Sequence, residues 1–160
     1  MPCREAVALT DYEQACDKNT KILEKAMSQQ TFHIMHKIKE VDDYLQSTDT
    51  KSNIKESHPE IAFFFLNEKK SLHNKKKTKE GIEERLGILT QLDDITQHLY
   101  NSALEHYLRK DVKRDDILDA LCLALLPGLD NRILKTVPSQ PQKDKMGIEM
   151  AIYYSEKTNQ

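Results

Sequence analysis

The sequence predicts a helix-rich α/β domain, and three observations predict it. Only four glycines occur in 160 residues, too few for a sandwich or barrel built on tight turns. Apolar residues recur at helical spacing through most of the chain, as at Ile34, Ile38, Val41 and Leu45. Near the end the pattern changes to alternation, with Ile148, Met150, Ile152 and Tyr154 set between Glu149, Ala151 and Tyr153, which is the period of a strand.

Size and charge narrow the class. A chain of 160 residues fits one domain spanning 1–160 and can bury a core without disulfides. Apolar residues make up 38% and charged residues 31%, a polar composition but not one of disordered type. The formal net charge of -2 offers no global attraction to nucleic acid, so any such binding has to come from a local patch. Cys3, Cys16 and Cys122 are odd in number, far apart and without a Cys-x-x-Cys pair, which reads as reduced thiols in a reducing compartment. The opening Met1, Pro2, Cys3, Arg4 and Glu5 are polar and contain no apolar signal segment. The longest apolar run, from Ile117 to Leu126, is interrupted by Asp119 and falls short of the roughly 20 residues a membrane span needs. A cytoplasmic protein without a membrane partner is therefore expected.

The elements follow in order. A helix is expected over 11–26, where Tyr12, Ala15, Ile22, Leu23 and Ala26 share a broad apolar face, and a better one over 30–45. The polar run 47–52 breaks the pattern. Residues 53–57 form a weak strand, with only Ile54 apolar. Pro59 suits the first turn of a helix, and 60–67 is apolar nearly all round, which demands burial. Residues 69–79 are a lysine-rich loop. Thr78 is the expected N-cap of the next helix, with Glu80 in its first turn. Helical spacing continues through Ile82, Leu86 and Leu89, then over 95–108 through Leu99, Leu104 and Leu108. The strongest helix is 115–126. Leu118, Leu121, Cys122 and Leu125 form its core face, Ala120 and Ala124 raise its propensity, and Pro127 and Gly128 end it. A strand at 133–137, a loop at 138–145 and a final strand at 147–154 complete the chain.

Two places carry carboxylates suited to chemistry. Asp116 and Asp119 are three residues apart, about one helical turn, and close enough to share a hard divalent cation. Asp119 lies inside an otherwise apolar run, where an unpaired charge is costly. The plainer alternative has Asp115 and Asp116 capping the helix while Asp119 is solvated on its outer face. Glu56 would lie at the C-terminal end of a strand just before a helix, where ligands gather in α/β sheets. The alternative there is an ordinary loop acid. His58 is placed either to steady Glu56 or to orient the turn before Pro59. Lys69, Lys70, Lys75, Lys76, Lys77 and Lys79 make a basic patch for phosphates, or a solvated mobile loop. His33 and His36 are one turn apart, but with no third zinc ligand nearby they read as surface residues. Phe63, Phe64 and Phe65 read as core.

A resemblance joins these residues. Glu56, Ser57, His58, Pro59 and Glu60, then Phe64, Leu66 and Asn67, then Lys76, Lys77, Thr78, Gly81 and Arg85 form one ordered set. Asp116, Asp119 and Ala120 on the leucine-rich helix, and Met146 to Ile152 near the end, continue it. Upstream, Pro2 to Ala6, Tyr12, Ala15, Asn19, Ser28, Gln30, Ile38 and Glu40 to Asp42 fit the same order. The set resembles the predicted ribonuclease-H-like nuclease family called domain-of-unknown-function four-twenty-nine, and covers nearly the whole chain.

The resemblance implies a ribonuclease-H-like fold, with a small mixed sheet flanked by helices. It implies a metal-dependent nuclease using magnesium or manganese, with Glu56, Asp116 and Asp119 as catalytic metal ligands and His58 in support. Lys75, Lys76, Lys77 and Arg85 would contact nucleic acid. The chain opens downstream of the strand that carries the fold's first aspartate. Asp11, Asp17, Asp42 and Asp43 fall on expected helices and do not replace it. The expectation is therefore a C-terminal part of the fold, or a member without activity; the alternative is a non-catalytic α/β remnant or binding module. Exposed strand edges would favour self-association.

Overall fold

The computed structural model describes residues 2–48 and 54–158. Residues 49–52 of the polar break, and Asn53 at the start of the weak strand, lie outside the described residues. The chain, expected as a single domain, packs as two compact units, Met1–Ile54 and Lys55–Gln160.

The first unit holds α1 (Arg4–Val7), α2 (Tyr12–Leu23), α3 (Gln29–His33) and α4 (Met35–Ser47). Asp11 caps α2 by accepting the Gln14 N–H, and α2 ends on Glu24 in the left-handed conformation. Ser28 caps α3 through the Thr31 N–H. Cys3, Ala6, Val7, Ala15, Met27 and Met35 make the core. Three polar braces close it. Buried Asn19 accepts the Cys3 N–H at 2.9 Å and donates to the Lys25 carbonyl at 2.7 Å. The Tyr12 hydroxyl donates to the Met27 carbonyl at 2.9 Å. Arg4 grips both Asp42 oxygens, a fork geometry that holds α1 to α4.

The expected helix over 30–45 is two helices. Ile34 (φ -100, ψ 0) ends α3 and begins α4. The break turns α4 so that Met35 is buried, while Ile34 and Val41 of the expected stripe are exposed.

The second unit holds α5 (Pro59–Leu66), α6 (Lys79–Leu92), α7 (Ile95–His106), α8 (Arg114–Leu125), β1 (Arg132–Lys143) and β2 (Glu149–Lys157). Pro59 opens α5, where its missing N–H costs nothing. Nearly apolar throughout, α5 lies between the sheet and the other helices: it packs on β2 on one side and on α8 on the other, and α8 packs on α6 and α7. Ala62, Phe63, Leu66, Leu89, Tyr100, Ile117, Leu118, Cys122 and Leu126 form the core. On α7 Thr96 and Tyr100 are buried and Leu104 packs against the core, while Leu99 and, beyond the helix end, Leu108 are exposed.

β1 and β2 pair antiparallel, with Lys135 opposite Tyr154 and Val137 opposite Ile152. The ladder is interrupted after Val137 and resumes at Gln142, so β1 runs on through what the sequence reads as a loop. The turn needs Gly147, whose φ is +78°; the Asp144 carboxylate accepts the Met146 and Ile148 N–H groups. The expected strand at 53–57 reduces, in the described residues, to one parallel bridge between Ser57 and Tyr153. Phe65 of α5 stacks on Tyr154 with ring centroids 3.7 Å apart. Arg132 donates to the carbonyls of Phe65, Leu66 and Ser155, placing a cation at the negative end of α5. The described residues thus form a helix-rich α/β protein. No helix among them is long and apolar enough to cross a membrane.

Candidate functional site

The rotation of α8 decides which acids come together. Burying Ile117, Leu118 and Cys122 puts Asp115 and Asp119, four residues apart, on one flank. Asp115 is 7% exposed, and the Asp119 side chain is 20% exposed. Asp116 turns the other way. It is exposed, and its Oδ2 accepts the Lys113 N–H at 3.1 Å. Three-residue and four-residue spacings both permit a shared face, but an acid at this position of the first turn gains more by satisfying a helix N–H at the positive end of the dipole. The pair formed is therefore Asp115 with Asp119. Asp116, expected to share a cation with Asp119, is instead a helix cap.

Between Asp115 and Asp119 sits Lys76. Its Nζ donates to Asp119 Oδ2 at 3.1 Å and lies 3.8 Å from Asp115 Oδ2. The Asp119 carboxylate that accepts this hydrogen bond holds the ammonium above the ordinary lysine value, and Asp115 and Glu60 add to the field. The surrounding loop is pinned. Gly81 at the start of α6 comes so close that a Cβ there would stand 2.0 Å from the Lys75 carbonyl oxygen. Glu84 accepts the His73 and Asn74 N–H groups, each at 2.9 Å. Thr78 accepts the Gly81 N–H and so caps α6. Lys75 and Lys77, on either side of Lys76, are exposed.

Arg85 lies beneath this loop. Its side chain is 4% exposed, donates to both Glu60 oxygens at 3.0 and 3.1 Å, and reaches the Asn74 and Gly81 carbonyls. The guanidinium also sits over the Phe63 ring. A buried, committed side chain has no face for a polynucleotide, so Arg85 is a loop anchor rather than the nucleic-acid contact expected from sequence. Cys122 is buried on the next turn of α8; burial pushes its thiol well up, reinforced by Asp119 and Glu60, so it is not a nucleophile.

The other expected site residues lie elsewhere. Glu56 is exposed, and its carbonyl accepts the Tyr153 N–H at 2.8 Å, which ties its segment to β2. His58 is the exposed residue just before α5 and makes no cap with its side chain. His33 and His36 are exposed on successive helices. Among the described residues no three His, Cys, Asp or Glu side chains are gathered to hold a metal ion, so Glu56, Asp116 and Asp119 do not converge.

Asp115 and Asp119 would offer a magnesium-type ion two protein donors. Magnesium keeps several waters and takes one or two carboxylates plus substrate phosphates. Asp119 Oδ1 is buried and accepts nothing, an orphaned hard donor. Asp115 was legible as the residue four before Asp119. Lys76 was not, because 43 residues separate it from Asp119.

A family model described as "Protein of unknown function (DUF429)" matches residues 1–143, a stretch that includes Lys76, Arg85, Asp115 and Asp119. Neither the curated proteins nor the solved structures return a match.

Proposed function

The chain belongs to the family described as "Protein of unknown function (DUF429)", and we propose that it is a ribonuclease-H-like, metal-dependent nuclease that hydrolyses phosphodiester bonds in nucleic acid. The observation that carries this reading is Asp119: a carboxylate set in an apolar helix, with Asp115 one turn before it and an orphaned buried oxygen. Two acids on adjacent turns of a packed helix are costly to keep unless they hold a cation. The fold reading has its own support: β2 has β1 antiparallel on one side and the Ser57 segment parallel on the other, with α5 packed on it.

In this reading Asp115 and Asp119 hold a magnesium or manganese ion. The ion would supply an activated water and neutralise charge building up on the phosphate. Lys75 and Lys77, exposed beside the acids, bind the phosphodiester backbone. Arg85, clamped to Glu60, keeps their loop in place.

The test is manganese-dependent cleavage of single-stranded, duplex and branched nucleic acids by the native chain, run beside Asp119→Asn. Cleavage lost in the variant supports the reading. Cleavage that survives the substitution, or no cleavage by the native chain, sinks it. A second reading, a non-catalytic nucleic-acid binding module, is favoured by the Lys76 ion pair, which offsets half of the acids' charge without any metal. It expects binding in chelator that weakens in Lys75→Ala and Lys77→Ala, with no cleavage.

A further inference from the structure

The position between Asp115 and Asp119 already contains a cation, the Lys76 ammonium. Arg85 is spent on Glu60, and Asp115 is too buried for solvent alone to offset its charge. The anchors of the loop are the Gly81 approach, Glu84 on His73 and Asn74, and Arg85 on Asn74. None of them involves the Lys76 side chain. That side chain is 38% exposed, so it can swing outward on its four-carbon stem without unmaking the loop.

We propose that Lys76 is a built-in competitor for the divalent ion, offsetting part of the charge of Asp115 and Asp119 in the metal-free chain and leaving for solvent when a metal enters. The proposal rests on the reading of Asp115 and Asp119 as a metal pair and adds its regulation. An ammonium and a divalent ion within a few ångströms of the same two carboxylates repel each other strongly, so occupancy is exclusive. Once displaced, Lys76 joins Lys75 and Lys77 on the loop surface, where a phosphate backbone would meet three adjacent cations. Metal entry and nucleic-acid binding are then coupled through one side chain.

The test is manganese binding by the full chain, read from the electron paramagnetic resonance signal of free ion, for the native protein, Lys76→Gln, Lys76→Arg and the double variant Lys76→Gln with Asp119→Asn. Lys76→Gln is expected to bind at least tenfold tighter than native. Lys76→Arg, which keeps the charge, is expected to bind no tighter than native, and the double variant to bind negligibly. Equal, measurable affinity in native and Lys76→Gln chains overturns the competition and leaves the metal pair standing. No binding by either overturns both. Because Lys76→Gln leaves buried Asp115 without a counter-cation and could unfold the site, a measurement on the native chain accompanies it: the acetylation rate of Lys76 relative to Lys75, followed by mass spectrometry. A several-fold rise in that ratio with magnesium is expected; an unchanged ratio overturns the proposal.

Discussion

Lys76 Nζ lies 3.1 Å from Asp119 Oδ2 and joins the lysine-rich loop to α8 across 43 residues of sequence. The pair sets a pH dependence. Asp119 holds the ammonium above its ordinary value of 10.5, so the protonated lysine is favoured by folding. That contribution is complete below 10.5 and is lost as pH rises through the higher folded value. Lys76→Gln should therefore lose less stability across the alkaline limb than the native chain does. At neutral pH the variant should be destabilised by about 1–2 kcal/mol, between the small value of an exposed pair and the large one of a fully buried pair. Urea unfolding at a series of pH values checks both.

Gly81 and Gly87 lie on the same helix and predict opposite outcomes. At Gly87 a Cβ meets nothing within 4 Å, so Gly87→Ala should stabilise α6 by about 0.5–1 kcal/mol through helix propensity. At Gly81 the same propensity gain is overwhelmed, because the methyl would stand 2.0 Å from a backbone oxygen of Lys75. Overpacking against backbone costs ~3 kcal/mol or more, leaving a net loss of about 2 kcal/mol. Gly81→Ala should also unseat Lys76, so its alkaline limb should come to resemble that of Lys76→Gln. Paired denaturation curves decide it, and a stabilised Gly81→Ala would contradict the close approach.

Arg85→Ala should cost about 2 kcal/mol. A fully buried ion pair that loses one partner costs ~3–5 kcal/mol, but Glu60 is 45% exposed and can be rehydrated once Arg85 is gone. What remains is the loss of the Nη1 hydrogen bonds to the Asn74 carbonyl of the loop and the Gly81 carbonyl of α6, and of packing on Phe63. Glu60→Gln should cost less, since it keeps an acceptor for Arg85. A double-mutant cycle between the two positions measures their coupling.

The helices were legible where one residue type leaves few choices. Pro59 can only open a helix, Thr78 followed by Glu80 reads as a capped start, and Pro127 with Gly128 reads as a stop; all three elements begin or end within a residue or two of those marks. Phase was less legible than existence. On α4 and α7 the apolar stripe read from spacing is only partly the covered one: Ile38 and Leu104 pack against the cores, but Ile34, Val41 and Leu99 are exposed, and Met35, Thr96 and Tyr100 are buried instead. The same ambiguity reached the candidate site. Asp119 stood out as a charge in an apolar run, but spacing paired it with Asp116, whose carboxylate instead accepts a backbone N–H. Lys76 and Arg85 carry no local signal that separates them from their neighbours. Lys76 lies beside two other lysines, and only the loop's anchorage sends it to the acids while Lys75 and Lys77 face solvent.

The sheet carries its own electrostatic tie at Glu156 on β2, which pairs with Lys135 of β1 and with Lys69 after α5, each at 2.5 Å. The Lys135 hydrogen bond, then that of Lys69, lowers the carboxyl from 4.5 to about 2. A depressed carboxylate favours the folded state above its unfolded value and ceases to do so as pH falls through the folded one. Stability from this tie is therefore present above pH 4.5 and drains away between 4.5 and about 2. Glu156→Gln removes the titrating group while keeping its size. The variant should start less stable at neutral pH and then change less than the native chain on acidification through that window. Added salt should shrink the difference at pH 7, because both lysines are substantially exposed. Thermal melts of the two proteins between pH 2 and 7, at low and high salt, give the comparison. Parallel acid limbs in the two chains would show that Glu156 is no better paired when folded than when unfolded.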